Sequence, residues 1–212
     1  MKPDQVIALY SALRAANPHP QSELEFHSPF ELLIAVILSA QATDKSVNVA
    51  TRKLYPKANT PAAIFELGVE GLAPYIRHIG LYNAKSKNVI ETCRLLLERH
   101  GGEVPHDRAA LEALPGVGRK TANVVLNVAF REPTLAVDTH VFRVANRTGL
   151  APGATPLAVE TKLLKVTPAQ FLQHAHHWLI LHGRHVCLAR VPQCYRCVIA
   201  NCCAYRPKTP PP

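Results

Sequence analysis

The chain has 212 residues, of which 48% are hydrophobic, which is enough for one large domain or two small ones. Its formal net charge is +9. The longest apolar run, FELLIAVILSA, is too short to span a bilayer, and no segment resembles a signal peptide. These features argue against a membrane or secreted protein, so we expect a soluble cytoplasmic one.

Helical patterns follow one another along almost the whole chain, with no sustained alternation typical of strands. Ser28 to Glu31 predicts a capping box, and Gly68 is expected to end a helix. Helices are predicted over residues 4–16, 69–78 and 83–100, after the expected N-caps Asp44 and Asp107, and from Pro29, Pro61, Gly118, Asp138, Pro156 and Pro168. In the last two, proline is expected just inside the start. The prediction is an all-α fold of about ten helices, with a disordered tail over 207–212.

Positive charge is concentrated in the last quarter of the chain. No Asp or Glu follows Glu160, whereas seven basic residues do: Lys162, Lys165, Arg184, Arg190, Arg196, Arg206 and Lys208. Such a field favours a polyanion, although a solvated basic face is the ordinary alternative. Because no strongly amphipathic basic helix points to a membrane surface, nucleic acid is the favoured partner.

Five of the six cysteines are crowded between residues 187 and 203. Four thiolates in so short a loop can surround a metal centre, which in a cytosolic chain is more typical than disulfides. The spacing alone leaves zinc and an iron–sulfur cluster open, with His182 and His185 near enough to complicate the ligand set. Cys202 beside Cys203 leaves the last ligand ambiguous.

The stretch LPGVGRKTA, residues 114–122, places two glycines before a lysine. A Walker loop needs glycine directly before the lysine and a preceding strand, and a Rossmann turn needs the strand too, so neither fits. The favoured interpretation is a helix–hairpin–helix in which Gly116 and Gly118 allow a phosphate to approach backbone amides at a helix N-terminus. An ordinary turn between helices is the alternative.

Two residues are candidates for chemistry. Lys120 lies in the first turn of the helix after the hairpin, where the helix dipole and Arg119 favour an unprotonated amine that could form a Schiff base. Its plainer role is a phosphate contact. Asp138 in AVDTH is a strong helix N-cap, and a capping aspartate can still present an oxygen to a cleft.

Several motifs taken together resemble the endonuclease III family of helix–hairpin–helix DNA glycosylases. They are LPGVGRKTANVVL, AVDTH eighteen residues beyond the lysine, and the pattern C-x6-C-x2-C-x5-C. The segments SPFELLIAVILSAQATD, HIGLYNAKSKN and HHWLILHGR extend the resemblance over nearly the whole chain.

The resemblance implies a base-excision-repair glycosylase that removes oxidised pyrimidines from duplex DNA and cleaves the strand by β-elimination. In that interpretation Lys120 is the nucleophile and Asp138 the catalytic carboxylate. A [4Fe–4S] cluster would be held by the cysteines that match the family spacing: Cys187, Cys194, Cys197 and Cys203. Cys202 is a departure that leaves a ligand swap open.

The implied architecture is a six-helix bundle over residues 22–132 and a second subdomain that joins 1–21 to 133–212, with the cluster loop at 187–203. Lys120 and Asp138 would face each other across a cleft between them. We expect a cytoplasmic, nucleoid-associated monomer that binds damaged double-stranded DNA.

Further DNA contacts are implied by the same resemblance. Gly116, Val117, Gly118 and Arg119 would hold a phosphate in the hairpin. Gln41 and Leu81 match wedge positions that fill the gap left by a flipped base, although a helix-end glutamine and a core leucine are their ordinary roles. Arg190 and Arg196 would meet phosphates, and His140 and Asp44 are weaker candidates near the pocket.

Two other functions remain at this point. A monofunctional glycosylase of the same superfamily would typically lack the lysine. A non-catalytic hairpin module with a structural metal would bind DNA in a salt-sensitive way without chemistry.

Overall fold

A computed structural model describes residues 1–212 and contains ten α-helices and no β-strand. The all-α prediction is therefore confirmed. The helices are α1 Pro3–Ala16, α2 Pro29–Ser39, α3 Asp44–Leu54, α4 Pro61–Ile76, α5 Tyr82–His100, α6 Arg108–Glu112, α7 Arg119–Phe130, α8 Thr139–Thr148, α9 Pro156–Val166 and α10 Ala169–His185. A single 3₁₀ turn covers Cys194–Arg196. No helix is both long and apolar enough to cross a membrane.

The chain divides into two compact units. We call Ser22–Arg131 the hairpin unit, because it contains the glycine-flanked turn. We call Met1–Gln21 together with Glu132–Pro212 the cluster unit, because it contains the crowded cysteines.

The hairpin unit is built around α2, whose residues from Phe30 to Leu38 are all buried. A helix that is apolar all round needs neighbours on several sides, and α3, α5 and α7 pack against it. Its start is set by Ser28, whose hydroxyl accepts a hydrogen bond from the Glu31 amide at 3.1 Å. This packing fixes α7, and with α7 the turn that precedes it.

The cluster unit has its core between α1, α8, α9 and α10. Tyr10 and Phe171 are fully buried and stack at a centroid distance of 5.4 Å, with Trp178 packed against both. The hydroxyls of Tyr10 and Thr167 lie 2.9 Å apart, so the buried phenol is hydrogen-bonded. These contacts hold the N-terminal helix to a unit that otherwise comes from the C-terminal half.

Four local predictions were wrong in detail. Thr43 caps α3 through its side chain, and Asp44 is the first helical residue. Gly68 kinks α4 with φ +64° instead of ending it. Pro168 occupies the cap position of α10 and not its first turn. The Glu31 carboxylate accepts from the amide of His27, one residue before the cap, so the box at Ser28 is only half formed.

Residues 204–212 contain no helix. The ammonium of Lys208 nevertheless donates a hydrogen bond to the Cys203 carbonyl at 3.0 Å. Disorder of 207–212 stays a prediction.

Candidate active site and metal centre

The turn between α6 and α7 has the form expected of a hairpin. Gly116 has φ +79°, a conformation that side chains other than glycine rarely adopt. The Val117 amide donates to the Leu114 carbonyl at 3.1 Å, and the Val117 side chain is buried. Val117 therefore closes the turn, and its amide is committed within the protein.

The two glycines of the turn differ in what requires them. A Cβ at Gly116 would lie 3.1 Å from the side-chain nitrogen Nδ2 of Asn88, so backbone strain and crowding both favour glycine. Gly118 has φ −95° and ψ 177°, an ordinary extended conformation, and a Cβ there would point into open space. Unlike Gly116, Gly118 therefore has no backbone geometry that requires glycine. Nothing within the fold requires that position to be bare.

Helix α7 begins without a side-chain cap, because its N-cap residue is Gly118. Helices α2, α3, α4, α6, α8 and α9 each begin with a residue whose side chain accepts a backbone amide. An N-terminus without such a cap favours an external anion, because its amides and dipole are directed outward. Lys120 is the second residue of α7 and is half-buried, whereas Arg119 is exposed.

Asp138 caps α8. Its Oδ1 accepts the amides of His140 at 2.9 Å and Val141 at 2.7 Å. Because one oxygen satisfies both donors, Oδ2 is left for another group. The carboxylate is half-buried, at the end of the buried segment Leu135–Val137.

Helix α10 positions the backbone on both sides of Asp138. The His176 ring nitrogen Nδ1 lies 2.9 Å from the Ala136 carbonyl, which can only accept, so Nδ1 carries the proton. On the other side, Gly183 lies so close to α8 that a Cβ there would be 2.9 Å from that of His140. The aspartate is therefore held by packing as well as by its own cap.

His140 is oriented by Arg143, one turn further along α8. The Arg143 Nη2 lies 3.1 Å from His140 Nδ1 and donates to the Gly183 carbonyl at 2.8 Å. A guanidinium has no acceptor, so the contact makes Nδ1 of His140 the acceptor and places its proton on Nε2.

Gln41 and Leu81 share an uncommon backbone. Their φ angles are +54° and +62°, in the left-handed region that disfavours branched or long side chains. Gln41 is exposed, and Leu81 is 62% exposed. A strained, exposed leucine does not serve the core, so the ordinary core role for Leu81 is wrong. Asp44 is half-buried at the start of α3.

The two arginines of the cluster loop differ. Arg196 donates to the Gln193 side chain at 2.7 Å and to the His185 carbonyl at 2.6 Å, so it binds the loop to itself. Arg190 is exposed and makes no such internal contact, which leaves its guanidinium available to solvent or a phosphate.

Four thiols surround one cavity in the cluster unit. The cavity has a volume of about 320 Å³ including its mouth, and its lining includes Cys187, Cys194, Cys197 and Cys203. Burial raises the pKa of the Cys197 thiol to about 11, and the other three thiols add to that effect while the Ile199 amide opposes it. Cys202 does not line the cavity but packs against the hydrophobic core.

The arrangement fits a cluster better than a single ion. No three His, Cys, Asp or Glu side chains lie close enough together to hold one metal ion. Zinc requires four donors at about 2.0–2.3 Å from one point, whereas a [4Fe–4S] cluster takes one thiolate at each iron and so a wider ring.

His182 is buried, and burial with the nearby Arg196 charge lowers its pKa to about 4. Its Nε2 lies 3.5 Å from the Cys197 sulfur.

Comparison with known proteins decides the family. Residues 34–169 match the model of the HhH-GPD superfamily of base excision DNA repair proteins. The chain is 67% identical to endonuclease III of Escherichia coli K12 over 95% of this chain and 96% of that protein. It is 62% identical to endonuclease III of Haemophilus influenzae, again over 95% and 96%. A trapped endonuclease III–DNA covalent intermediate superposes with a TM-score of 0.90, at 43% identity and 96% coverage of both chains.

This chain belongs to the endonuclease III family. It is a base-excision-repair DNA glycosylase with AP lyase activity. Its C-terminal cysteines are consistent with the [4Fe–4S] cluster predicted from the resemblance.

Sequence reasoning missed the residues that support the site. Arg143, Arg147 and His176 were not singled out, although all three are hydrogen-bonded to the site segments. The signal for the arginines was their spacing of four on α8, which puts both on one helix face just after Asp138. Lys120 and Asp138 lie in different units, so their mutual approach stays a prediction.

Proposed function

We propose that the enzyme removes oxidised pyrimidines from duplex DNA and cleaves the strand 3′ to the resulting abasic site, with the amine of Lys120 as nucleophile. The main support is the position of Lys120 in the first turn of α7, beside the only N-cap glycine of the structure. A DNA backbone held at that terminus would bring a sugar near the lysine. The similar fold of a covalent endonuclease III–DNA intermediate supports the same chemistry.

The hairpin binds DNA through its backbone. Gly116 makes the turn, Gly118 leaves room for a phosphate, and Arg119 adds an exposed positive charge. Val117 contributes by closing the turn, since its own amide is occupied. Contacts of this kind position the duplex without reading base sequence.

The reaction begins when the neutral Lys120 amine attacks C1′ of the sugar. A bond forms from Nζ to C1′, the glycosidic bond breaks, and the base leaves with a proton. Opening of the sugar ring and loss of an amine proton give an imine. Removal of a C2′ proton then expels the 3′ oxygen with its phosphate, and water releases Lys120 from the cleaved sugar.

Asp138 supplies the carboxylate of the reaction. Its Oδ1 is committed to the α8 cap, so Oδ2 is the atom that would accept a proton or face the cationic sugar. A fixed carboxylate costs no reorganisation when positive charge develops. His140 would donate from Nε2, toward a phosphate or the sugar.

Gln41 and Leu81 are proposed as the wedge that enters the duplex when the damaged base is flipped out. Their strained, exposed conformations support this role, since strain that the core does not need is typical of functional loops. Arg190 is proposed as a phosphate contact, and Arg196 is proposed to contribute through its remaining Nη1. Asp44 is a weaker candidate near the same loop.

The cluster ligands are proposed to be the four cavity cysteines, with Cys202 outside the set. When bound, the cluster fixes the fold of loop 187–203, which carries Arg190 and Arg196. We further propose that the enzyme is a monomer that acts on the chromosome in the cytoplasm.

The test uses a duplex with one thymine glycol and separate assays of base release and strand cleavage. The wild type should do both, Lys120→Ala should lose strand cleavage while still binding the duplex, and the exposed control Lys165→Ala should match the wild type. If Lys120→Ala cleaves an abasic strand normally, Lys120 is not the nucleophile. If the wild type releases the base but never cleaves, the enzyme is monofunctional, and binding without either product indicates a non-catalytic module.

A further inference from the structure

The last turn of α8 contacts both ends of the cysteine loop. We call Arg147–Gly149 the anchor turn. The Arg147 Nη1 lies 3.5 Å from the Cys187 sulfur, so the first cysteine of the set contacts the side chain. The Cys203 sulfur lies 4.0 Å from the Arg147 carbonyl, and the Ala204 amide donates to the Thr148 carbonyl at 2.9 Å.

Arg147 makes three further contacts at this turn. Nη1 also donates to the Leu188 carbonyl at 2.6 Å, and Nη2 to the Ala189 carbonyl at 2.9 Å. The guanidinium carbon Cζ lies over the Tyr205 ring, 5.1 Å from its centroid. One side chain therefore holds the backbone just after the first cysteine, touches its sulfur and packs on the segment just after the last cysteine.

A lysine could not make this set of contacts. An ammonium is a single charged point, whereas the planar guanidinium donates in two directions and still presents a face to an aromatic ring. Arg147 also lines the cavity between the cysteines, so its charge faces the space that a cluster of thiolates and iron would fill. The helix C-terminus is a favourable place for that positive charge.

We propose that Arg147 is a positioning residue of the cluster: it donates a hydrogen bond to the Cys187 sulfur, raises the reduction potential of the cluster and slows its loss. A donor and positive charge at a ligand sulfur stabilise the more negative, reduced form more than the oxidised one. Groups that orient metal ligands in this way commonly affect metal retention strongly. The inference rests on the proposed ligation by Cys187.

The test compares iron-loaded Arg147→Gln and Arg147→Lys with wild type. The readouts are the cluster potential by direct electrochemistry, the iron–cysteine stretching bands by resonance Raman, and the rate of iron release to a chelator. Arg206→Gln is the matched control, because it removes the same charge nearby while its guanidinium contacts only the carbonyls of Cys203 and Tyr205.

Arg147→Gln should shift the potential to more negative values, change the stretching bands, and release iron about 10-fold faster. Arg147→Lys should restore part of the potential but not the iron retention. Arg206→Gln should leave the stretching bands as in wild type. A folded Arg147→Gln with wild-type potential and bands overturns the proposal.

If Arg147→Gln does not hold iron, the Arg147→Lys variant tests the proposal instead. Wild-type bands and iron release in the lysine variant would overturn the proposal, because they would show that a point charge is sufficient. Altered bands with faster iron release would support it.

Discussion

Two helix N-termini carry the proposed chemistry, and they differ in how they are satisfied. Helix α8 begins with Asp138, whose Oδ1 accepts two amides, whereas α7 begins with Gly118, which has no side chain to offer. At α8 the amides are hydrogen-bonded to the protein's own carboxylate, whereas the uncapped N-terminus of α7 favours an anion from outside the protein. In the proposed function, the same kind of element would fix the catalytic carboxylate in one unit and bind a DNA phosphate beside a lysine in the other.

The largest effect should come from removing the negative charge at the capped terminus. Asp138→Asn keeps an oxygen that can accept the His140 and Val141 amides, so stability should change by less than about 1 kcal/mol. Base release and strand cleavage should fall by about 10²–10⁴-fold. Urea unfolding and single-turnover kinetics measure the two effects.

The matched variant Asp138→Ala loses cap and carboxylate together. It should match the activity loss of Asp138→Asn and be about 1 kcal/mol less stable. Near-wild-type turnover in Asp138→Asn would show that Asp138 is only a cap.

Acid should lower the stability of the cluster unit, which contains the capped N-terminus of α8. Burial, with the charge of His174, lowers the pKa of His177 to about 4, below the unfolded value of about 6.5. Above about pH 6.5 His177 is neutral in both the folded and the unfolded chain, so it does not affect stability. As the pH falls toward about 4, the unfolded chain binds a proton at His177 while the folded chain does not, which favours unfolding. This single group should lower the free energy of unfolding by about 3 kcal/mol across that window.

Urea unfolding at about pH 7 and about pH 4.5 checks this, with His177→Gln as the comparison. The glutamine variant should lose less stability on acidification than the wild type. Equal losses would mean that His177 does not set this pH dependence.

The uncapped terminus can be tested with its two glycines. Gly116→Ala should destabilise the fold by about 1–2 kcal/mol, because φ is +79° and the new methyl group would meet Asn88. Gly118→Ala should cost no more than about 1 kcal/mol, since its backbone is ordinary and the space is open, and alanine is only a poorer N-cap than glycine.

For Gly118, the effect on DNA affinity should be larger than the effect on stability. Gly118→Ala should weaken binding of an abasic duplex by about 10-fold, or about 1.4 kcal/mol, because its methyl group occupies the path of the phosphate. Fluorescence anisotropy at fixed salt measures this. Unchanged affinity in Gly118→Ala would show that no phosphate binds at Gly118.

The smallest effect concerns Leu81, another position that the fold alone does not explain. Leu81→Gly should raise stability by up to about 1 kcal/mol, because glycine tolerates φ +62° without strain. Base release from a duplex should fall because the wedge is gone. A variant that is more stable and equally active would show that Leu81 has no role in base flipping.

The sequence predicted the helices well where turn chemistry was local. Ser28, Thr60, Asp107, Asp138 and Thr155 each cap the helix that was expected. Thr43 was missed in favour of Asp44, because both residue types cap helices and only the backbone shows which one precedes the first turn.

The support of the site could not be predicted in the same way. The contacts of Arg143 with Gly183 and of Arg147 with Leu188 join residues about forty positions apart, and they depend on how α8 packs on α10. Local propensity carries no information on such pairs. The different roles of Gly116 and Gly118 could not be predicted either, because only the backbone angles and the neighbouring atoms distinguish the two glycines.

Borohydride reduction on a duplex with one abasic site tests the central claim most directly, because it converts an imine into a stable crosslink that peptide mapping can locate. We predict that the wild type crosslinks through Lys120, that Lys165→Ala does so equally, and that Lys120→Ala gives no crosslink. A crosslink mapped to any other amine, or strand cleavage by folded, iron-loaded enzyme without a crosslink, would contradict the assignment of Lys120.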